Sequence, residues 1–394
     1  MQKKLLAVAL AGAFGAPAVA LAQSSTVQVF GTLYVEYTVR ADQGNSSAAG
    51  NPSRSNADFI QTPGSEIGFK GEEKLGGGLS AWFQCASTAD PRGQSQNGWC
   101  GRNSALGFKG GFGNVFIGNW DTPFKRTISP TVVGGNDTGI FGTAFLLTAD
   151  STTDAVGANR LNFKKRQNNL ITYDSPTFAG FQVMAAFTSS GPSTGTLEAA
   201  TNNKPRVLSI GGQYSAGPLY VSAGFEQHRD YAGAGGPDSS KDNGWHVGAA
   251  YTWGPVRFGG QYTEQRFDTV AGDVKAKAWH VGVDWNIVGP HGLRAAFTQA
   301  RDMSGPAGFA GVNGSFVGGA ASGAGYRPAP GNDTGADMFQ IRYVYTFSKR
   351  TEFTAGYVRL NNDNNAGYRL GGLGASIQNG QNEDAFAFAV RHTF

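Results

Sequence analysis

The stretch Trp279-His280-Val281-Gly282-Val283-Asp284-Trp285-Asn286-Ile287 decides the fold. Trp279, Val281, Val283, Trp285 and Ile287 fall on one side of an extended chain; His280, Gly282, Asp284 and Asn286 fall on the other. Side chains of a strand alternate with period two, so such a segment has one apolar and one polar face. Trp245, Val247, Ala249, Tyr251 and Trp253 repeat the device against His246, Gly248, Ala250 and Thr252. Phe339, Ile341, Tyr343, Tyr345 and Phe347 do so again, opposed by Gln340, Arg342, Val344 and Thr346.

A soluble sandwich also alternates, and two features separate the cases. Aromatics sit at the ends of the apolar faces, as in the girdles at the two membrane interfaces of a barrel. The polar faces carry Arg257, Gln261, Asp284, Arg294 and Arg342 at full strand length, which suits a wet lumen. The segments also exceed the roughly five or six residues usual for soluble strands.

Outward from these segments, connections come in two alternating kinds. Ala216-Gly217-Pro218, Trp253-Gly254-Pro255 and Val288-Gly289-Pro290 are tight turns, whereas 41–58, 89–100, 191–204, 231–242, 303–334 and 363–380 are long polar loops. Short turns at one rim and long loops at the other are the layout of an outer-membrane barrel. Between residues 27 and 394 the pattern predicts sixteen strands, among them 27–40, 59–71, 255–268, 276–287 and 382–394. The expected fold is an all-β, sixteen-stranded antiparallel transmembrane barrel, wide enough for an aqueous channel. The stretch 120–165 is too long for a turn, and its apolar run Phe141 to Leu147 predicts a third external loop folded into the lumen.

Composition agrees. Charged residues are 15%, well below the roughly 25% of soluble domains, while glycine reaches 59 residues and aromatics 12%. Lys3 and Lys4, the apolar run Leu5 to Gly15 and Ala20-Leu21-Ala22 predict a signal peptide at 1–22, leaving 23–394 as one barrel domain. Without that segment 30 basic residues face 28 acidic ones, and no basic run marks a nucleic-acid surface. No later apolar stretch is long enough for a membrane helix. Cys85 and Cys100 could close a loop in an oxidising compartment.

At this point the chain resembles the general Gram-negative porins of the β-proteobacterial type. The matching stretches are Ile67 to Leu79 (IGFKGEEKLGGGL), Arg102 to Gly118 (RNSALGFKGGFGNVFIG), Gln167 to Pro176 (QNNLITYDSP) with Phe178 to Phe181, and Ala389 to Phe394 (AVRHTF). The resemblance implies an outer-membrane homotrimer among lipid and lipopolysaccharide, passing small hydrophilic solutes and ions by diffusion. It implies that Phe394 is read by the barrel-assembly machinery, that Arg102 and Arg166 are wall arginines, and that Asp121 is the acid facing them. The family often has Arg before its Ile/Leu-Gly-Phe motif where this chain has Glu66, which argues against a strong anion preference.

Enzyme readings are weak. Asp137-Thr138-Gly139 and Asp333-Thr334-Gly335 are the best of them, as the paired carboxylates of a secreted aspartic protease, but Ile140 and Ala336 stand where Ser or Thr belongs. Gly191-Pro192-Ser193-Thr194-Gly195 fits G-x-S-x-G without the strand-to-helix elbow that chemistry needs. Five scattered histidines give no metal spacing, and no glycine-rich phosphate loop implies a nucleotide cofactor, so no cofactor is expected. The closer rivals are a substrate-preferring channel and an adhesin. Most aromatics fall on the lipid side, which favours general diffusion.

Overall fold

The computed structural model describes residues 27–43, 57–93, 98–135, 139–148, 163–188, 206–230, 240–269, 271–306, 328, 330–371 and 379–394. The signal segment 1–22, Asp137-Thr138 and 191–195 lie outside them.

The deciding stretch lies in β13 (Gly272–Val288), and it is apolar on its outer side. Val281, Trp285 and Ile287 are more than 40% exposed, whereas His280 and Ala278 are buried. Large hydrophobics are exposed in the same alternating way on strand after strand, from Leu33 and Val35 to Phe388 and Val390. Water would not tolerate a band of that size, but a hydrocarbon layer does.

Among the described residues seventeen strands, β1 (Gln28–Gln43) to β17 (Asn382–Thr393), form one sheet, and every pairing is antiparallel. The sheet closes where β1 meets β17, from Thr32↔Thr393 to Gln43↔Asn382. Closure satisfies the edge groups that lipid could not. Gly31 and Phe394 exchange backbone hydrogen bonds of 3.1 and 3.0 Å, so the terminal residue completes the ladder. β2 (Ala57–Gln61) and β3 (Glu66–Gly76) both pair with β1, so they are two pieces of one wall strand and the barrel has sixteen.

That break corrects the expected continuous strand at 59–71. Pro63 lacks an N–H for the ladder, and Gly64 turns into the left-handed region at φ 75°. Ser65 fills the gap: its Oγ accepts from Tyr34 N and donates to Tyr34 O, both at 2.9 Å. A second difference lies at the loop rim, where β12 (Val256–Thr269) and β13 continue to the pair Thr269↔Gly272 and leave a tight connection.

The apolar cores lie between the described part of 120–165 and the inward faces of the wall. Phe124, Ile128 and Phe163 pack on Phe267, Val274 and Met303. Ile140, Phe141, Leu146 and Leu147 pack on Met338, Val358 and Leu360, and on Tyr368 and Leu370 from the loop before β17.

Candidate functional site

The segment after β6 (Gly113–Asp121) enters a short helix, Pro123–Ile128. Pro123 begins it, and the Thr122 side chain accepts from Lys125 N at 3.4 Å. Both are helix-start signals. A segment buried this way must find partners for its carbonyls, and the wall supplies donors in series. Ser222 Oγ donates to Thr127 O (2.7 Å) and Arg257 Nη2 to Pro130 O (2.9 Å). His280 Nε2 donates to Val133 O (2.9 Å), and Arg342 Nη2 to Gly134 O (2.9 Å) and Gly135 O (2.6 Å). Gln340 donates to Phe141 O (3.1 Å) and Gln265 to Leu147 O (2.7 Å). Two acids take the N–H groups, Asp284 from Gly134 (3.0 Å) and Glu36 from Ile140 (3.2 Å).

The wall also makes room. A Cβ on Gly282 would stand 1.8 Å from Val133 O, and one on Gly248 would stand 2.6 Å from Thr131 Oγ1. Both glycines lie on the polar faces of their strands.

These contacts give two of the expected lumen residues a further task. Arg257 and Arg342 are loop clamps, because unpaired carbonyls capture their guanidinium groups. Arg342 is buried and lies 5.1 Å from the Phe141 ring centroid. Its flank still borders the open space that remains.

That space, a cavity of about 350 Å³, is lined by seven cationic side chains: Arg102, Lys125, Lys164, Arg166, Arg294, Arg342 and Arg391. Three carboxylates share it: Glu66, Asp121 and Glu352. Glu66 pairs with Arg102 at 2.6 Å, and Glu352 with Arg391 at 3.7 Å. Asp121 lies 3.1 Å from Lys125 and 3.3 Å from Arg166, and Asp284 approaches Arg294 at 3.8 Å.

Asp121 thus sits beside Arg166 in the sheet. It is the direct cross-strand partner of Arg166, which opens β7 (Arg166–Asp174), and a register shift at Gly118–Trp120 puts both beside the opening. Arg102 is held from behind: its N–H donates to Ala86 O at 2.9 Å, two residues from the disulfide Cys85–Cys100, whose Cα atoms are 4.8 Å apart. Arg391 and Glu352 were missed although the alternation carries a signal, since Arg391 shares its face with Ala385, Ala387 and Ala389. Lys125 and Lys164 have no such signal, because their placement depends on how the loop folds.

The second D-T-G triplet does structural work. Thr334 N and Gly335 N donate to Asp302 Oδ1 at 2.8 and 3.0 Å, tying two loop segments together.

Residues 7–365 match the family described as Gram-negative porin. Outer membrane porin protein 32 of Delftia acidovorans is 27% identical over 408 residues, covering all of both chains. Among solved structures, the anion-selective porin from Comamonas acidovorans matches with a TM-score of 0.72 at 22% identity, over 94% of this chain and 100% of that one. The trimer form of OmpT from Vibrio cholerae matches with a TM-score of 0.62 at 16% identity, over 94% and 100%. With a closed sixteen-stranded barrel, a lipid-facing apolar band and a family match across most of its length, the chain belongs to the Gram-negative porins, general diffusion channels of the outer membrane and not enzymes.

Proposed function

We propose that this porin is an anion-preferring pore whose narrowest section is the space between loop 120–165 and the wall. The observation that carries the reading is the imbalance of seven cationic side chains against three carboxylates around that cavity. A narrow passage lined by one sign of charge concentrates the opposite sign. Glu66 does not cancel the preference, because Arg102 alone takes up its charge. A homotrimer with one such pore per chain is the assembly we assign, supported by the trimer form of the Vibrio relative. Removal of residues 1–22 on export, recognition of Phe394 by the assembly machinery, and contact with lipid and lipopolysaccharide complete the proposal.

The test is the reversal potential of the refolded mature chain in a planar bilayer under a potassium chloride gradient. A potential of the sign that reports chloride as the more permeant ion supports the reading. Zero potential or the opposite sign refutes it. Conductance in steps of three supports the trimer, and single independent steps refute it.

A further inference from the structure

Below the constriction, at the turn end of the barrel, the inward face of β3 to β6 carries a second feature. β4 (Leu79–Thr88) and β6 bring Trp82, Phe116 and Trp120 together edge to face, with ring centroids 5.3 to 5.7 Å apart. Phe83 and Phe108 on these strands instead point to lipid and are exposed. Trp120 adjoins Asp121 at the constriction, whereas Trp82 lines a cavity of about 400 Å³ nearer the turns. The aromatic cluster therefore leads from one to the other.

The cavity has a polar rim of Gln28, Lys70, Glu72, Gln84 and Lys109 beside Trp82. Glu72 is fully engaged, by Lys109 at 2.6 Å and Lys74 at 3.0 Å. Among the described residues Lys70 pairs with no carboxylate; its ammonium lies 5.1 Å from the Phe30 ring centroid. A cation resting on an aromatic face stays free to accept an anion. The surroundings thus carry three lysines against one glutamate, next to an indole. Binding sites combine an apolar lining with a few placed charges in this way.

We infer that this pocket is a lumenal subsite for small aromatic carboxylates, the ring lying against Trp82 and the carboxylate against Lys70. The inference rests on the porin reading and goes beyond it, since passive diffusion through the constriction requires no site that saturates. An aliphatic acid of the same charge gains the lysine but not the indole. Selection is therefore for the ring.

The experiment is a titration of chloride current through the refolded trimer or monomer with benzoate and, separately, with acetate. Benzoate is expected to reduce the current saturably, and acetate to leave it unsaturated. Trp82→Ala is expected to raise the half-blocking concentration of benzoate about five- to tenfold, the usual worth of an aromatic contact. Lys70→Gln is expected to weaken the block as well, and it leaves the aromatic cluster intact should Trp82→Ala fail to fold. Equal behaviour of benzoate and acetate in the native chain overturns the subsite, as does a block that survives in both variants. Absence of chloride current would instead overturn the pore reading itself, so the two failures are distinguishable.

Discussion

Replacing Glu66 by Gln removes the carboxylate that pairs with Arg102 at 2.6 Å while keeping the size of the side chain. The change adds one uncompensated positive charge to the lining of the cavity. An ion crossing a space of about 350 Å³ passes roughly 6 Å from a wall charge, where a unit charge acts with about 0.7 kcal/mol in water. Screening at 0.1 M salt, with a Debye length of about 10 Å, leaves roughly 0.4 kcal/mol. The term lowers the barrier for an anion and raises it for a cation, so the two add. The anion-to-cation permeability ratio should rise about fourfold at 0.1 M and only about 1.4-fold at 1 M, where the Debye length is about 3 Å. Reversal potentials of native and Glu66→Gln channels across that salt series provide the assay. An unchanged or lower ratio at 0.1 M, or a gain that persists undiminished at 1 M, would refute the electrostatic argument.

Other consequences follow from the way loop 120–165 is held. Arg342→Met takes the donor from Gly134 O and Gly135 O, at a cost of about 1–3 kcal/mol for buried carbonyls left unpaired. It should lower the temperature at which the heat-modifiable gel mobility is lost and increase open-channel noise. Gly282→Ala puts a Cβ where Val133 O now lies, so it should destabilise the barrel by about 1–3 kcal/mol and reduce unit conductance as the loop is pushed off the wall into the lumen; a smaller destabilisation with native conductance would count against it. Outside the membrane, the guanidinium of Arg92 bonds Asp90 and holds its carboxyl down to about 2, below the ordinary carboxylate range, while Arg92 Nη1 also donates to Ile60 O at 2.8 Å. Because the folded value lies below the unfolded one, this clamp contributes fully above about pH 4 and is lost as pH falls towards 2. Protection of the Gly93 amide, which donates to Asp90 O, should fall over that window and be low throughout in Asp90→Asn.

The wall was legible in the sequence because its physics is local. Period-two alternation needs only neighbouring residues, and a strand facing lipid on one side and solute on the other must alternate. Trp279 to Ile287 alone shows this, and so do the tight turns such as Trp253-Gly254-Pro255, where Gly254 adopts a φ of 55°. The break at Thr62–Ser65 was missed although Pro63 and Gly64 mark it, since a strand pattern resumes on either side.

The sequence by itself determined the class of fold, the number of wall strands and the apolar band, and with them the membrane setting of the chain. Only the tertiary structure decided the site. The alternation places Arg257 and Arg342 on the inner face but does not show the loop carbonyls they bind, and it does not show that the register partner of Asp121 is Arg166. Lys125 and Lys164 reach the cavity only because the loop packs Phe124, Ile128 and Phe163 against the wall. Alternation says which side of the sheet a residue takes, but the charge of a pore depends on which inward groups are spent on holding the loop. That competition runs between residues a hundred or two hundred positions apart, as between Pro130 and Arg257 or Gly134 and Arg342, and no local pattern records it.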